Sequence, residues 1–246
     1  MSGYGDSDLT RQVEGLKQRR GRTLSIVDLV LAGTLSIDAA AAVAAQVRRR
    51  ASFFTGAVPG GAGKTSVLAA LMGLLPRGEP VVTVEHPNVL AAGTDGPTCW
   101  LVHEINDYVH YGYIWGAPVR ELFARREAGD RVVSCMHADG IDEMRAMLAG
   151  PPNRVTADAF ALLDLALFIR VTRRAGEVIR RVSAIYEAQA GRHVRIFEWD
   201  PGHDSHRAVA PSTCPTPDVA DMRARLEALV ERGMTDWAGV RDALVT

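Results

Sequence analysis

The run Ala57-Val58-Pro59-Gly60-Gly61-Ala62-Gly63-Lys64-Thr65-Ser66 constrains the fold of this chain more than any other stretch. It follows the apolar segment Ala51–Gly56, which reads as a short buried strand, and leads into Thr65–Leu75, which reads as a helix. Strand, glycine-rich turn, Lys-Thr and helix together make a phosphate-binding loop. The glycines let successive backbone N–H groups converge on an anion. The helix N-terminus adds partial positive charge at the same point. Pro59, Gly60, Gly61, Ala62, Gly63, Lys64, Thr65 and Ser66 are therefore the expected phosphate cradle. Lys64 is placed to reach the β- and γ-phosphates of a nucleoside triphosphate such as ATP, and the Thr65 hydroxyl to ligate Mg²⁺. The pattern G-x-x-x-x-G-K-[ST] asks for glycine where Val58 stands. Gly56, Gly60, Gly61 and Gly63 leave the turn enough freedom without it.

Size and charge narrow the rest. The chain has 246 residues, 47% of them hydrophobic. That suffices for one large α/β domain with a small appendage. A formal net charge of −1 gives no clear electrostatic signal for nucleic acid or a membrane surface as main partner. No apolar run approaches the ~20 residues needed to span a bilayer. Residues Met1–Asp6 lack the basic and apolar regions of a signal peptide. Cys99, Cys135 and Cys214 form no C-x-x-C pair, which suits a reducing cytoplasm and argues against a disulfide scaffold or a zinc site.

Along the chain, residues 1–23 read as a mobile tail or a short helix ending in a basic run. Leu24–Ala32 and Ile37–Arg49 read as helices, the second capped by Ser36. Pro80–Glu85, Cys99–His103 and Arg131–Met136 read as strands, with an irregular segment at His86–Pro97 and an aromatic-rich loop at Tyr108–Gly116. Helices are expected at Ala117–Ala128, Gly140–Ala149 and Thr156–Leu163. Three β-rich runs follow at Ala166–Thr172, Val178–Ala188 and His193–Trp199, then a loop at Pro201–Pro217 and helices at Asp218–Arg232 and Asp236–Leu244. Alternating strands and helices predict an α/β fold with a mainly parallel sheet, an antiparallel β extension and C-terminal helices.

Glu85, Glu104 and His137 each stand immediately after a predicted strand. In an open parallel sheet those ends share the edge that carries the phosphate loop. Two carboxylates and an imidazole beside a γ-phosphate are the groups that hydrolysis needs: one to orient attacking water, one to help hold Mg²⁺, one to sense the phosphate. Glu104 and Thr65 are the candidate metal ligands. His86 and His103 flank the acids, but no His/Cys cluster has metal-ligand spacing.

The order of these segments resembles the ATPases of type II and type IV secretion systems, which include type IV pilus and archaeal flagellar motors. Val58–Thr65 resembles their Walker A loop, and Val82-Thr83-Val84-Glu85 their Asp box. Leu101–Asp107 resembles Walker B, and Val132–Asp139 the His box. The flanks Ile26–Ser36 and Leu226–Leu244 are similar to the stretch entering the motor domain and to the C-terminal helices of the archaeal and tight-adherence branch. His86, His103 and Asn106 depart from the boxes, and the stretch between Glu85 and Glu104 is shorter than the family's.

The resemblance implies a RecA-like P-loop NTPase reduced to its motor domain. It divides the chain into an N-terminal segment (1–35), the motor (36–212) and a helical appendage (213–246). It makes Glu104 the catalytic acid, Glu85 an organiser of Mg²⁺ and water, and His137 a γ-phosphate contact. It implies a cytoplasmic homo-hexamer, peripheral to the membrane through an inner-membrane platform protein of a secretion or pilus machine. Arg19–Arg22 and Arg48–Arg50 are the arginines within reach of a neighbouring subunit's nucleotide on that reading. The alternative is a degenerate nucleotide-binding regulator or scaffold with little turnover. A P-loop motor acting on DNA is a further reading, which the near-zero net charge disfavours.

Overall fold

A computed structural model describes residues 6–16, 21–58, 60–94, 96–174 and 176–245. The strand before the glycine-rich loop, β1 (Phe53–Gly56), lies in the middle of the sheet. It runs parallel to β6 (Arg131–Met136) on one side and β7 (Leu165–Arg174) on the other. Beyond β6 come β3 (Cys99–Leu101) and β2 (Val81–Thr83), also parallel. Beyond β7 the sheet turns antiparallel through β8 (Glu177–Gln189), β9 (Arg192–Asp200) and β10 (Ser205–Ala208). A small parallel ladder, β4 (Glu104–Ile105) with β5 (Tyr113–Ile114), attaches to β6. The mainly parallel α/β sheet with an antiparallel extension is the architecture that the alternating pattern predicts.

Successive strand residues point to opposite faces, and β1 shows the consequence. Phe53 belongs to one apolar cluster and Phe54 to the other. The Phe53 face is covered by α1 (Asp6–Gly15), α2 (Ile26–Leu31), α3 (Ile37–Arg48), α4 (Lys64–Met72), α9 (Thr216–Glu231) and α10 (Trp237–Leu244). The Phe54 face is covered by α5 (Asn88–Ala92), α6 (Ala117–Glu127), α7 (Ile141–Ala149) and α8 (Ala157–Ala161). Phe54 meets Phe123 of α6 edge-on with ring centroids 6.0 Å apart. Burying each such ring contributes ~1.5–3 kcal/mol.

The helix starts are written locally. Ser25 and Asp28 form a reciprocal capping box on α2, and Ser36 accepts the Ala39 N–H at the start of α3. Ala39–Ala45 of α3 are all buried. Their small side chains let α9 lie close against α3. The C-terminal helices share the core of the sheet domain: the Trp237 indole donates to Ala69 O at 3.1 Å, and Arg241 donates to Gly73 O and Leu75 O.

Three elements differ from the sequence expectation. The segment read as irregular after β2 contains α5, whose Leu90 is buried and whose carbonyl there accepts from Arg125 of α6. The Pro201–Pro217 loop contains β10, a polar edge strand with no alternation to betray it. The turn before it depends on Asp204 at φ +49, held by Arg174, Arg181 and the Trp199 indole. Those three partners lie far from it in sequence or on the opposite side of the turn, so local pattern carries no trace of them. The third difference is the ladder that pairs β4 with β5, the latter inside the aromatic loop.

Gly56 ends β1 where backbone and ring crowd in. A Cβ there would stand 2.7 Å from Ala138 O and 2.7 Å from the Phe168 ring. A carbonyl of the next strand end has little room to retreat. Gly56→Ala is therefore expected to cost ~1–3 kcal/mol and to lower the melting temperature by several degrees in a thermal scan. An unchanged melt would show that the junction is looser than its geometry.

Candidate functional site

The loop after β1 closes onto α4 through two left-handed glycines, Gly61 at φ +80 and Gly63 at φ +105. Side-chain-bearing residues are strained there. Val58 stands at the position the motif reserves for glycine, and it has no positive φ. Its side chain is 45% exposed and its N–H donates to Asp139 Oδ1 at 3.0 Å. Asp139 is itself held through its N–H by Glu143 Oε2 at 2.6 Å. A branched side chain fits because the position needs neither a left-handed backbone nor close packing. Pro59, the first residue of the expected cradle, lies outside the described residues.

Among the described residues, the N–H groups of Gly60, Gly61, Ala62 and Gly63 donate to no protein acceptor. They stand at the start of α4, where the helix dipole favours an anion. A cavity of about 430 Å³ opens beside them. Gly60–Ser66, Glu104, Tyr113 and His137 line one part of it. Val13 and Leu16, with the segment Gly21–Leu24, line another. This size lies within the range of cofactor pockets.

Lys64 and Glu104 are only 6% and 7% exposed, so their charges act in a poorly hydrated space. Lys64 Nζ lies 4.0 Å from Glu104 Oε1 and 3.1 Å from His137 Nδ1. His137 Nε2 lies 2.8 Å from Glu104 Oε1. The same Nζ lies 3.3 Å from Nε2, so the ammonium sits against the imidazole as a whole rather than on one nitrogen. The result is a contact cluster in which Lys64 and His137 both approach Glu104 Oε1. Burial lowers the pKa of the Lys64 ammonium, and the Glu104 charge opposes that shift. Thr55 Oγ1 lies 3.2 Å from Lys64 O and 3.2 Å from Cys135 Sγ, which ties the start of α4 to β6. Burial pushes the Cys135 thiol up to about 12, so it stays protonated and unreactive.

The structure brings Lys64, Thr65, Glu104 and His137 to one cavity. Glu85 stands apart from that wall: it is exposed, and its Oε1 accepts the Tyr111 hydroxyl at 2.6 Å. Of the arginines singled out in the sequence, Arg19 and Arg20 lie outside the described residues. Arg22 lines the cavity but is tied to Asp28 at 2.7 Å and to Thr235 O at 3.2 Å. Arg50 pairs with Glu79 at 3.2 Å.

Several contributors were hidden from sequence reasoning. Tyr113 donates to Glu104 Oε2 at 3.0 Å, and Asn106 Nδ2 donates to Oε1 at 3.3 Å. The aromatic richness of the loop was the only local signal for Tyr113. Helix α1 reaches the site because Leu9, Val13 and Leu16 are buried in the core and Gln12 bonds Thr83 of β2. Arg180 of β8 extends over Gly63, where a Cβ would stand 3.4 Å from its Cδ.

The residues fit a triphosphate with Mg²⁺. The undonated N–H groups and Lys64 suit phosphate oxygens, and Thr65 and Glu104 put hard oxygen ligands on the same wall. Among the described residues no His/Cys/Asp/Glu group is arranged to hold a metal by itself. Magnesium characteristically shares its shell with water and substrate phosphates.

Two ATPases are among the solved structures similar to this chain. One is the VirB11 ATPase from the Brucella suis type IV secretion system, in complex with sulphate: TM-score 0.45, 16% identity, covering 74% of this chain and 64% of that one. The other is the Legionella pneumophila ATPase DotB: TM-score 0.38, 15% identity, covering 77% of this chain and 54% of that one. The chain thus spans less than two thirds of the length of either. No protein-family model matches the chain, and no curated protein sequence matches it.

Proposed function

We propose that this protein binds ATP with Mg²⁺ in the cavity beside α4 and hydrolyses it to ADP and phosphate. The observation that carries the reading is the contact cluster of buried Lys64 and Glu104 with part-exposed His137, beside a loop of undonated N–H groups. Lys64 and the amides of Gly60–Gly63 hold the β- and γ-phosphates, and Thr65 turns its hydroxyl to the metal. Magnesium, when bound with the phosphates, spreads their negative charge. Glu104 orients the attacking water and takes its proton, while His137 relays contact between the carboxylate and Lys64. Glu85, held outward on the Tyr111 hydroxyl and off the cavity wall, is assigned no contact with metal or water in this arrangement.

We extend the proposal to a self-associating motor of a secretion or type IV pilus-like machine, with the order of the four sequence boxes as its support. On that reading the protein works in the cytoplasm as a hexamer docked on a membrane platform protein. No helix among the described residues is long and apolar enough to cross a membrane.

A second reading is a nucleotide-binding regulator with little turnover. It is favoured by the number of donors already on Glu104: His137, Asn106 and Tyr113. Phosphate release from purified protein, with its mass in solution measured with and without ATP, separates the two. Turnover that rises with assembly supports the motor, and tight binding by a monomer without turnover supports the regulator. Lys64→Ala is expected to remove nucleotide binding, read as a loss of about 100-fold or more in the affinity of a fluorescent ATP analogue. Retained affinity would overturn the placement of the phosphates.

A further inference from the structure

The proposed chemistry asks Glu104 to hold one carboxylate orientation. Its backbone alone does not provide this. Glu104 begins a strand of two residues, and a glutamate side chain has three rotatable bonds between backbone and carboxylate. The short parallel ladder solves the problem. Its register sets Glu104 opposite Tyr113 and Ile105 opposite Ile114. The Tyr113 hydroxyl then donates to Oε2 at 3.0 Å, leaving Oε1 to His137 and Asn106.

The loop that delivers Tyr113 is built for that register. Gly112 stands at φ +75, and a Cβ on it would come 2.5 Å from the His103 ring. His103 N–H donates to Gly112 O at 2.8 Å, and Asn106 N–H donates to Ile114 O at 3.1 Å. His103 is buried beside Tyr111 at a ring distance of 5.3 Å, and His110 meets the Tyr113 ring edge-on at 5.3 Å. The glycine is required by close approach as well as by φ, and it places Tyr113 one residue later on the cavity wall.

We propose that Tyr113 is a positioning residue for the hydrolytic step: its hydroxyl fixes the orientation of the Glu104 carboxylate through the β4–β5 ladder. The inference rests on the hydrolysis reading above. Tyr113 holds the carboxylate that faces the water and need not contribute to nucleotide affinity.

Tyr113→Phe keeps the ring and the ladder and removes only the hydroxyl. In the full chain its kcat for ATP is expected to fall on the order of tenfold, with KM and the Kd for a fluorescent ATP analogue changing less than about twofold. The melting temperature is expected to stay where it is. A cycle with Glu104→Asp gives the readout that a merely structural role would not move. The shorter acid draws its carboxylate away from Tyr113, so Tyr113→Phe should add no further loss to Glu104→Asp. Losses that multiply, a kcat equal to wild type, or a kcat that rises would each overturn the proposal. KM and Kd weakening in step with kcat would overturn it too, by making Tyr113 a binding residue. A wild-type chain that binds the analogue but releases no phosphate overturns the hydrolysis reading and this proposal with it. A wild type that turns over while Tyr113→Phe matches it overturns this proposal alone.

Discussion

Glu104→Gln is expected to lower kcat for ATP hydrolysis by about 10²–10⁴-fold while leaving nucleotide affinity near its wild-type value. That loss corresponds to about 3–5 kcal/mol of barrier. The amide keeps the size of the acid and one oxygen for His137 Nε2, which lies 2.8 Å from Oε1 in the native site. It removes the charge that faces Lys64 across 4.0 Å and the lone pair that takes the proton from water. Binding depends chiefly on Lys64 and the loop amides, so the substitution separates the two steps. Single-turnover phosphate release, alongside titration with a fluorescent ATP analogue, reads both. Full activity in purified Glu104→Gln protein would remove Glu104 from the chemistry.

Glu79→Ala is expected to cost ~3–5 kcal/mol of folding stability without touching the site. The Glu79 side chain is 1% exposed and its Oε1 lies 3.2 Å from Arg131 Nε and 3.2 Å from an Arg50 nitrogen. The Arg131 side chain is fully buried, at 0% exposure, and donates to Val47 O at 2.8 Å. Burial raises the Glu79 carboxyl pKa even against the guanidinium groups of Arg131, Arg50 and Arg241. The pair is therefore held at a desolvation cost, and deleting the acid leaves the Arg131 charge in the interior without its nearest counter-charge. Urea unfolding measures the effect as a lower midpoint at constant slope. A loss below about 1 kcal/mol would mean that water reaches Arg131 and that the pair contributes little.

These two variants test features of unequal visibility in the sequence. Glu104 stands one residue after the apolar run Cys99–Val102, in a stretch that resembles Walker B although His103 and Asn106 depart from it. Glu79 sits in a Pro-Arg-Gly-Glu turn that looks like ordinary solvated charge. Only the approach of Arg131, at the start of β6, and of Arg50, after α3, makes it a buried ion. Likewise Val58 looks like a defect in the loop motif until its backbone is seen to need no glycine.

By itself the sequence determined the strand–loop–helix around Lys64, the helix cap at Ser36, and the alternation that predicts a mainly parallel sheet. Those features arise from interactions within a few residues, so local pattern carries them. The tertiary structure alone decided the detailed contacts around the loop. It placed Tyr113 and His137 on Glu104, set Glu85 outward on Tyr111, and brought Val13, Leu16 and Leu24 to the cavity. It also joined α9 and α10 to the core beneath α3 and α4. Strand register and helix packing are set by contacts between segments far apart in the chain, and no local periodicity encodes them.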